Sequence, residues 1–570
     1  MKIERRQIMK KLFYIALCAI FFASCSDKVY EEINTDPTRV TSVNPAAQLT
    51  YAALQMYGDM NYADVHREYT YAFTQHLMGC WNTTNYGGVH FMSDNEMSRP
   101  WNNLYPGAIR NLTDAIERTK NDPEQANINA ASRIMRVYAS SMLTDVYGDV
   151  PYSDAGMSYF NGNTKPKYDK QEDIYRSFFT ELKAAAAQLN SNGGKIASDP
   201  VFGGDIEAWR KFANSLRLRY AMRISDVLPD LAKSEFKEAL SGAMKSAQDN
   251  ACVSHMTVAY NFVDADAYAD FRGNAISKFF YGNDPANNAT FVCQTFWEQL
   301  YKNNDPRTTR YCRFYIDDYM SVTSPEGRID MTDAVIATQN AYPEKTVIQP
   351  VAPGDFTWDT WPDYPNSVPS GSAITDKVAE VQKTHPTYDP SAKPYWLRPK
   401  VASNFLYSDN PGILMTYAEV CFLRAEAAFL GWGTGDDAKT QYEAGIRAAM
   451  DFLADQYGCE PITDADYAAY IAQPSIAYNA SNAKEQINTQ AWILHFNNPA
   501  EAWANIRRAD YPALSNPKPI KNTVIDGADI PVRLCYPLKE ESFNSEEYNA
   551  AKSRAKGGYS WHAPVWWDVK

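Results

Sequence analysis

At three places the chain sets rings beside hydrogen-bonding side chains. The first is Trp81-Asn82, followed by Tyr86, His90 and Phe91 and preceded by Asp64. The second is the triplet Trp358, Trp361 and Tyr364, interleaved with Pro and Asp; the third is Tyr395-Trp396 with Arg398 two residues on. A ring offers a flat apolar face, and the neighbouring amides, carboxylates and guanidinium pair with hydroxyls. That combination suits a pyranose or furanose, whose C–H face stacks while its hydroxyls are satisfied at the edge. Covering ~60 Å² of apolar face contributes roughly 1.5 kcal/mol per stacked ring. One ring therefore holds nothing, whereas three in an arc reach micromolar to millimolar affinity after the costs of binding. This is the chemistry of weak capture.

Signatures of bond-breaking chemistry are missing. The chain has no HExxH, no GxSxG and no Walker loop. Gly431-Trp432-Gly433-Thr434-Gly435 looks superficially like a nucleotide loop, but it follows a helical pattern, so it reads as a helix connection. Asp264-Ala265-Asp266 begins like a calcium loop, yet Tyr268 occupies a ligand position and the central glycine is missing. The seven His are dispersed, His66 and His76 being ten apart, which is no metal pair. A carboxylate pair for glycoside hydrolysis is spatial rather than sequential, and 68 acids supply many chance candidates. No metal and no cofactor is expected.

The elements that must position these rings are mostly helical. From Arg133 to Val146 apolar residues recur at three- and four-residue steps, and the same stripe runs through Ile174–Leu189, Trp209–Ile224, Tyr417–Leu430 and Tyr442–Phe452. A further helical region, Ile487–Ile506, is interrupted near Pro499. The pair around 416–453 is loosely like a tetratricopeptide unit, with Phe422 and Phe429 on one helix and Ala438 and Tyr442 on the next. Glu426 departs from that pattern, standing where a small residue belongs. Between about 264 and 410 the helical period fades and Pro, Gly, Asn, Asp and rings dominate. So long a loop-rich stretch inside a helical body tends to be functional.

Composition agrees with a globular body: 45% hydrophobic, 22% charged and 13% aromatic, with rings (Tyr 38, Phe 25, Trp 13) in excess of what an average core needs. The net charge of −13 has the wrong sign for tracking phosphates, which excludes a nucleic-acid binder. Residues 1–24 read as an export signal, with Lys10-Lys11, an apolar run from Leu12 to Phe22, and Ala23-Ser24 before Cys25. Translation starts at Met1 or at Met9. The run is too short to span a bilayer, and small residues before a cysteine are like a bacterial lipobox, in which Cys25 carries the lipid. Position −3 is Phe22 where Leu is usual; plain secretory cleavage after Ala23 or Ser24 is the alternative. Residues 1–24 hold five cations and Glu4, so their removal takes the charge from −13 to −17. Of nine cysteines, Cys18 lies in the signal and Cys25 is the lipid site, and the other seven are scattered without CxxC. Such a set suits buried thiols rather than zinc or a disulfide framework.

A run of longer matches spans nearly the whole mature chain. Leu143-Thr144-Asp145-Val146-Tyr147-Gly148-Asp149-Val150-Pro151-Tyr152 is a helix end with a glycine cap and a proline stop. It is followed by Tyr168-Asp169-Lys170-Gln171, Trp209-Arg210-Lys211-Phe212, Asp305-Pro306-Arg307, and Met415-Thr416-Tyr417-Ala418-Glu419 with Arg424-Ala425-Glu426-Ala427. Near the end stand Glu501-Ala502-Trp503, Arg507-Arg508, Tyr511-Pro512 and Tyr536-Pro537. In this order the motifs resemble the SusD/RagB family of nutrient-binding outer-membrane lipoproteins.

The resemblance implies a mainly α fold. Tetratricopeptide-like helix pairs would form a right-handed scaffold over about 45–260 and 411–512, with a loop-rich ligand-binding insertion at 264–410 and a C-terminal segment 513–570. It implies a non-catalytic, surface-exposed lipoprotein of a Bacteroidetes-like outer membrane. Such a protein captures an oligosaccharide, or alternatively a peptide as RagB-like relatives do, for a TonB-dependent SusC-like barrel. The motif residues themselves read as scaffold: Asp145, Tyr147 and Asp149 as capping and packing groups, and Arg217, Arg219, Arg223 and Arg424 as intramolecular ion-pair partners. Trp566-Trp567 reads as a terminal anchor or part of the partner interface.

Overall fold

A computed structural model describes residues 43–79, 84–258, 270–281, 290–316, 325–353, 368–388, 397–516 and 529–569. Cys25 and its leader, Cys80, Trp81, Asn82, the 264–266 loop, Trp358, Trp361, Tyr364, Tyr395 and Trp396 lie outside the described residues.

The helices are α1 (Pro45–Gly58), α2 (Met60–Val65), α3 (Arg110–Thr119), α4 (Ala126–Tyr147), α5 (Gln171–Gln188), α6 (Ile206–Arg223) and α7 (Pro229–Leu240). Then come α8 (Gln294–Tyr301), α9 (Thr332–Ala341), α10 (Ala373–Thr384), α11 (Tyr417–Phe429), α12 (Ala438–Tyr457), α13 (Ala483–Leu494) and α14 (Pro499–Ala509). Local chemistry sets their starts. The Asp205 carboxylate accepts from the amides of Glu207 and Ala208 to open α6, Thr416 caps α11 and Asp437 caps α12. Asn498 caps α14 with Pro499 in its first turn, which explains why the 487–506 pattern breaks there.

From α3 to α7 each helix packs on the next, α6 then meets α11, and α11 meets both α12 and α13. The faces are apolar stripes; α5 buries Ile174, Tyr175, Phe178, Phe179, Leu182 and Ala185. In the α11–α12 pair the small position is Gly445, where an added Cβ would lie 2.5 Å from the Phe422 ring. Phe429, expected to pack, is 39% exposed.

Buried ion pairs tie the pairs together. Arg219 holds Glu419 through two bonds of 2.6 Å, Arg223 reaches Glu501, and Arg508 grips Glu426 at 2.8 and 2.7 Å. Glu426 thus breaks the small-residue pattern because Arg508 needs it. Asp145 accepts from the Tyr175 hydroxyl and, at 3.0 Å, from the Trp567 indole, so Trp567 anchors the chain end inside the core. Asp149 accepts from the Gln171 amide and from Arg554, as a capping group does. Gly148 has φ +86° but ψ −121°, so it is a positive-φ stop outside the left-handed helical region.

The 264–410 stretch is more regular than its composition predicts. It holds α8, α9 and α10, whose eight to twelve residues are too short for a clear period to stand out. The ring surplus is also largely structural. Of the thirteen Trp, eight are buried and Trp566 is half-buried; the remaining four, Trp81, Trp358, Trp361 and Trp396, lie outside the described residues. The cysteines at 252, 293, 312, 421, 459 and 535 are free thiols.

The strands are short: β1 (Leu77–Gly79), β2 (Val150–Pro151), β3 (Tyr168–Asp169), β4 (Ala251–Val253), β5 (Thr290–Val292), β6 (Cys312–Arg313), β7 (Tyr315–Ile316), β8 (Ile329–Asp330), β9 (Lys400–Val401) and β10 (Gly412–Met415). Four of them form one sheet in the order β1-β5-β9-β6, with Leu77 opposite Val292 and Phe291 opposite Lys400.

Candidate functional site

The four-stranded antiparallel sheet is where the chain on either side of the ring-bearing segments enters described structure. β1 ends at Gly79, immediately before 80–83 with Trp81 and Asn82. The chain reaches the Trp358–Tyr364 segment through Val351, bridged to Cys293 just after β5, and Pro353. It leaves Tyr395-Trp396 through Leu397, whose carbonyl accepts from the Gln349 amide at 3.0 Å, and enters β9. The last residue before Trp81's segment and the first after Trp396's are thus two strand spacings apart and about four residues offset, roughly 10 Å by 13 Å. That span matches a few sugar rings.

Beside this sheet runs α8. A cavity of about 670 Å³ is lined by Gln294, Thr295, Gln299, Asn303, Pro353 and Asn516, among others, and a second of about 420 Å³ lies along Tyr301, Gln339, Asn340 and Pro350. Glu298 and Lys302 line both. The lining is amide- and hydroxyl-rich, and it reaches Pro353, where the second ring segment begins. Thr295 donates to the Gln75 side-chain carbonyl at 2.6 Å, and Gln75 donates to the Ser515 carbonyl, so the cavity wall is joined to the turn preceding β1. These residues fall in the loop-rich stretch 264–410, where their local signal is the polar face of Gln294-Thr295-Phe296-Trp297-Glu298-Gln299, with Phe296 and Trp297 as the buried pair.

Tyr86 and Asp64, chosen from the sequence, lie in neighbouring stretches, Tyr86 in the Thr84–Gly88 turn and Asp64 in α2 just before His66–Thr70. Tyr86 sits half-buried in a wide turn, Thr84–Gly88, with its ring 5.9 Å from Tyr69 and 6.1 Å from Phe91. The turn lies directly on His66–Thr70: a Cβ at Gly87 would stand 2.7 Å from the Glu68 carbonyl, so only glycine fits. Beneath it three carboxyls face two guanidiniums. Asp64 is buried, paired with Arg67 at 2.7 Å and Arg99 at 3.4 Å, while Arg99 also contacts Glu68 at 3.1 Å and Glu96 at 2.5 Å. Two cations cannot neutralise three buried anions, so one carboxyl keeps its proton. Burial pushes Glu68 up to about 9, with Asp64 and Glu96 adding to the rise against Arg99, and Glu68 is hydrogen-bonded to Glu96. Asp64 is therefore engaged in the foundation of the turn.

Arg398 is also buried, its guanidinium 5.8 Å from the Phe291 ring in the sheet. The structure places Tyr86 in the turn over the stretch that carries Glu68, Asp64 in the ion-pair cluster with it, and Arg398 beside the sheet just before β9. Burial pushes His66 and His76 down to about 3, and His76 stacks on Trp492 at 4.8 Å, so both are neutral core groups. Glu419, His495 and Glu501 converge within 4.8 Å as a metal site would. Arg219 and Arg223 occupy both carboxylates, and two guanidiniums there repel a cation.

A scaffold of stacked helical pairs carrying a small antiparallel sheet beside a polar cavity defines the class of fold. The family model described as SusD-like, starch-binding associating with outer membrane, matches residues 37–345 and 377–537, and the chain belongs to this family. Among solved structures, a Bacteroidetes SusD-like chain is 65% identical, with a TM-score of 0.87 over 93% of this chain and all of that one. A chain named as a chitin-binding protein is 33% identical, with a TM-score of 0.73 over 92% of this chain and all of that one. A SusD homologue of Bacteroides uniformis, at 21% identity and a TM-score of 0.67, covers 92% of this chain and 99% of its own and shares the fold. No curated protein matches the chain. Among the described residues no helix is long and apolar enough to cross a membrane.

Proposed function

We propose that this protein is a non-catalytic capture protein that binds an oligosaccharide at the outer-membrane surface and passes it to a TonB-dependent SusC-like transporter. The observation that carries the reading is that the described residues flanking the three ring-bearing segments, Gly79, Val351 and Leu397, lie in or beside one sheet next to a polar cavity. Trp81 with Asn82, Trp358 with Trp361 and Tyr364, and Tyr395 with Trp396 supply the stacking faces, and Tyr86 adds a half-buried ring. Amides and hydroxyls along α8 offer partners for sugar hydroxyls. The relative named for chitin binding supports a glycan ligand. Lipid on Cys25 holds the protein at the membrane.

Calorimetry of the mature protein against chito-oligosaccharides, malto-oligosaccharides and a peptide mixture tests the ligand class. Saturable binding of one glycan series, released quickly and little affected by salt, is expected because a neutral sugar has no charge to screen. Binding of peptides with no response to any glycan overturns the reading. Co-purification of a barrel in mild detergent tests the partner; recovery of the protein alone counts against it.

A further inference from the structure

A third cavity lies at the N-terminal end of α5. It measures about 270 Å³ and is bounded by the Gly148-Asp149 turn, the start of α5, Arg533 and the stretch around Arg554, Lys556 and Trp566. Four cations line it, Lys170, Arg533, Arg554 and Lys556, against two carboxylates, Asp149 and Glu172. Both carboxylates are occupied: Asp149 accepts from the Gln171 amide at 2.8 Å and from Arg554, and Glu172 is paired with Arg176 at 2.7 Å. Lys170 and Lys556 are exposed and make no ion pair among the described residues. In a chain of net charge −13 this is a concentrated positive site.

Arg533 is the more telling group. It is 4% exposed, its Nη2 donates to the Tyr147 carbonyl, and its guanidinium lies 5.3 Å from the Tyr536 ring and 4.9 Å from Tyr559. Its Nε has no hydrogen-bond partner among the described residues. A buried guanidinium N–H left unpaired costs stability unless a ligand meets it. Gly148 lies against the same guanidinium, an added Cβ there standing 3.4 Å from Nη2 in ordinary contact. The amino end of the eighteen-residue α5 borders the same cavity, with Asp149 on the Gln171 amide and Glu172 and Asp173 in its first turn, so the excess cations rather than the helix end supply the positive charge.

We propose that this cavity binds a small oxyanion group, a carboxylate, sulfate or phosphate, either free or carried on a sugar ring. Arg533 and the helix end form its floor, Lys170 and Lys556 close over it, and half-buried Trp566 offers a face to a ring-borne anion. This inference stands apart from the neutral-glycan site.

The test uses the mature protein with sodium sulfate, sodium phosphate, sodium glucuronate and glucose, each against sodium chloride at matched ionic strength, read by calorimetry and melting temperature. At least one anion is expected to bind beyond the chloride control, with affinity falling about tenfold or more in a Lys170→Ala/Lys556→Ala variant as charge-assisted contacts are lost. That variant changes only exposed side chains, so its melting point in chloride stays that of the parent. Glucuronate binding without sulfate or phosphate binding assigns a ring-borne anion; the reverse assigns a free ion. No anion exceeding chloride, glucose matching glucuronate, or equal affinity in the lysine variant overturns the proposal.

Discussion

Replacing Glu68 by glutamine probes the buried charge cluster under the Tyr86 turn. Glu68 is 1% exposed, and its carboxyl is held at about 9 against 4.5 for a free glutamate, chiefly by burial. A carboxyl whose folded value is raised binds its proton more tightly in the native state. Stability is therefore highest below the unfolded value and falls as pH rises towards the folded one. At 1.36 kcal/mol per pH unit, the loss between about pH 4.5 and pH 8.5 is roughly 5 kcal/mol. Glu96 does not mask it. Burial pushes Glu96 up, but Glu68, Asn95 and Arg99 outweigh that and hold it below its usual value, so its contribution is lost only as pH falls below about 4.5. Glutamine is neutral at every pH and keeps a donor for Glu96. The variant should match the parent near pH 4.5 and melt some ~5 °C higher near pH 8.5, taking an unfolding entropy of ~1 kcal/mol/K for a body of this size. The assay is calorimetric melting of both proteins across that range, in which other titrating groups cancel. A melting difference that does not change with pH would refute the reasoning, because it would mean that Glu68 ionises normally beside Arg99.

Removing Arg508 leaves Glu426 buried and unpaired, so Arg508→Ala should cost about 3–5 kcal/mol in urea unfolding, and a paired apolar replacement of both residues should recover most of it. Gly87→Ala forces the Thr84–Gly88 turn off the Glu68 carbonyl; a loss of about 1–3 kcal/mol is expected, together with weaker glycan binding. Cys25→Ala should move the protein from the membrane to the soluble fraction in cells lacking the partner barrel, and undiminished membrane retention there would count against lipidation.

The scaffold was legible wherever a helix is long and one-faced. α4, α5, α6 and α12 advertise themselves by stripes of three- and four-residue spacing. The ion-pair role of Arg219 and Arg223 was legible from their helix, though their partners, Glu419 and Glu501, are roughly 200 and 280 residues away and no local pattern names them. The short helices α8 to α10 were not legible, because two or three turns among Pro and Asn leave too few residues for a period. Asp64 shows the limit for single polar residues: its neighbourhood to Trp81 in sequence says nothing of Arg99, which consumes its carboxylate. Ring counts mislead in the same way. Trp209, Trp492, Trp503 and Trp567 are fully buried, and nothing in composition separates them from Trp81.

Affinity and melting temperature measured on the same variants separate platform rings from core rings. Trp81→Ala and the Trp358→Ala/Trp361→Ala double variant should each lose most glycan affinity in calorimetry while melting within a degree or two of the parent. Trp503→Ala, which empties a site only 2% exposed, should instead lose about 3–5 kcal/mol of stability, with its folded fraction still binding glycan. If Trp81→Ala melts far lower while its folded molecules bind glycan as the parent does, Trp81 belongs to the scaffold and the account of the site is wrong.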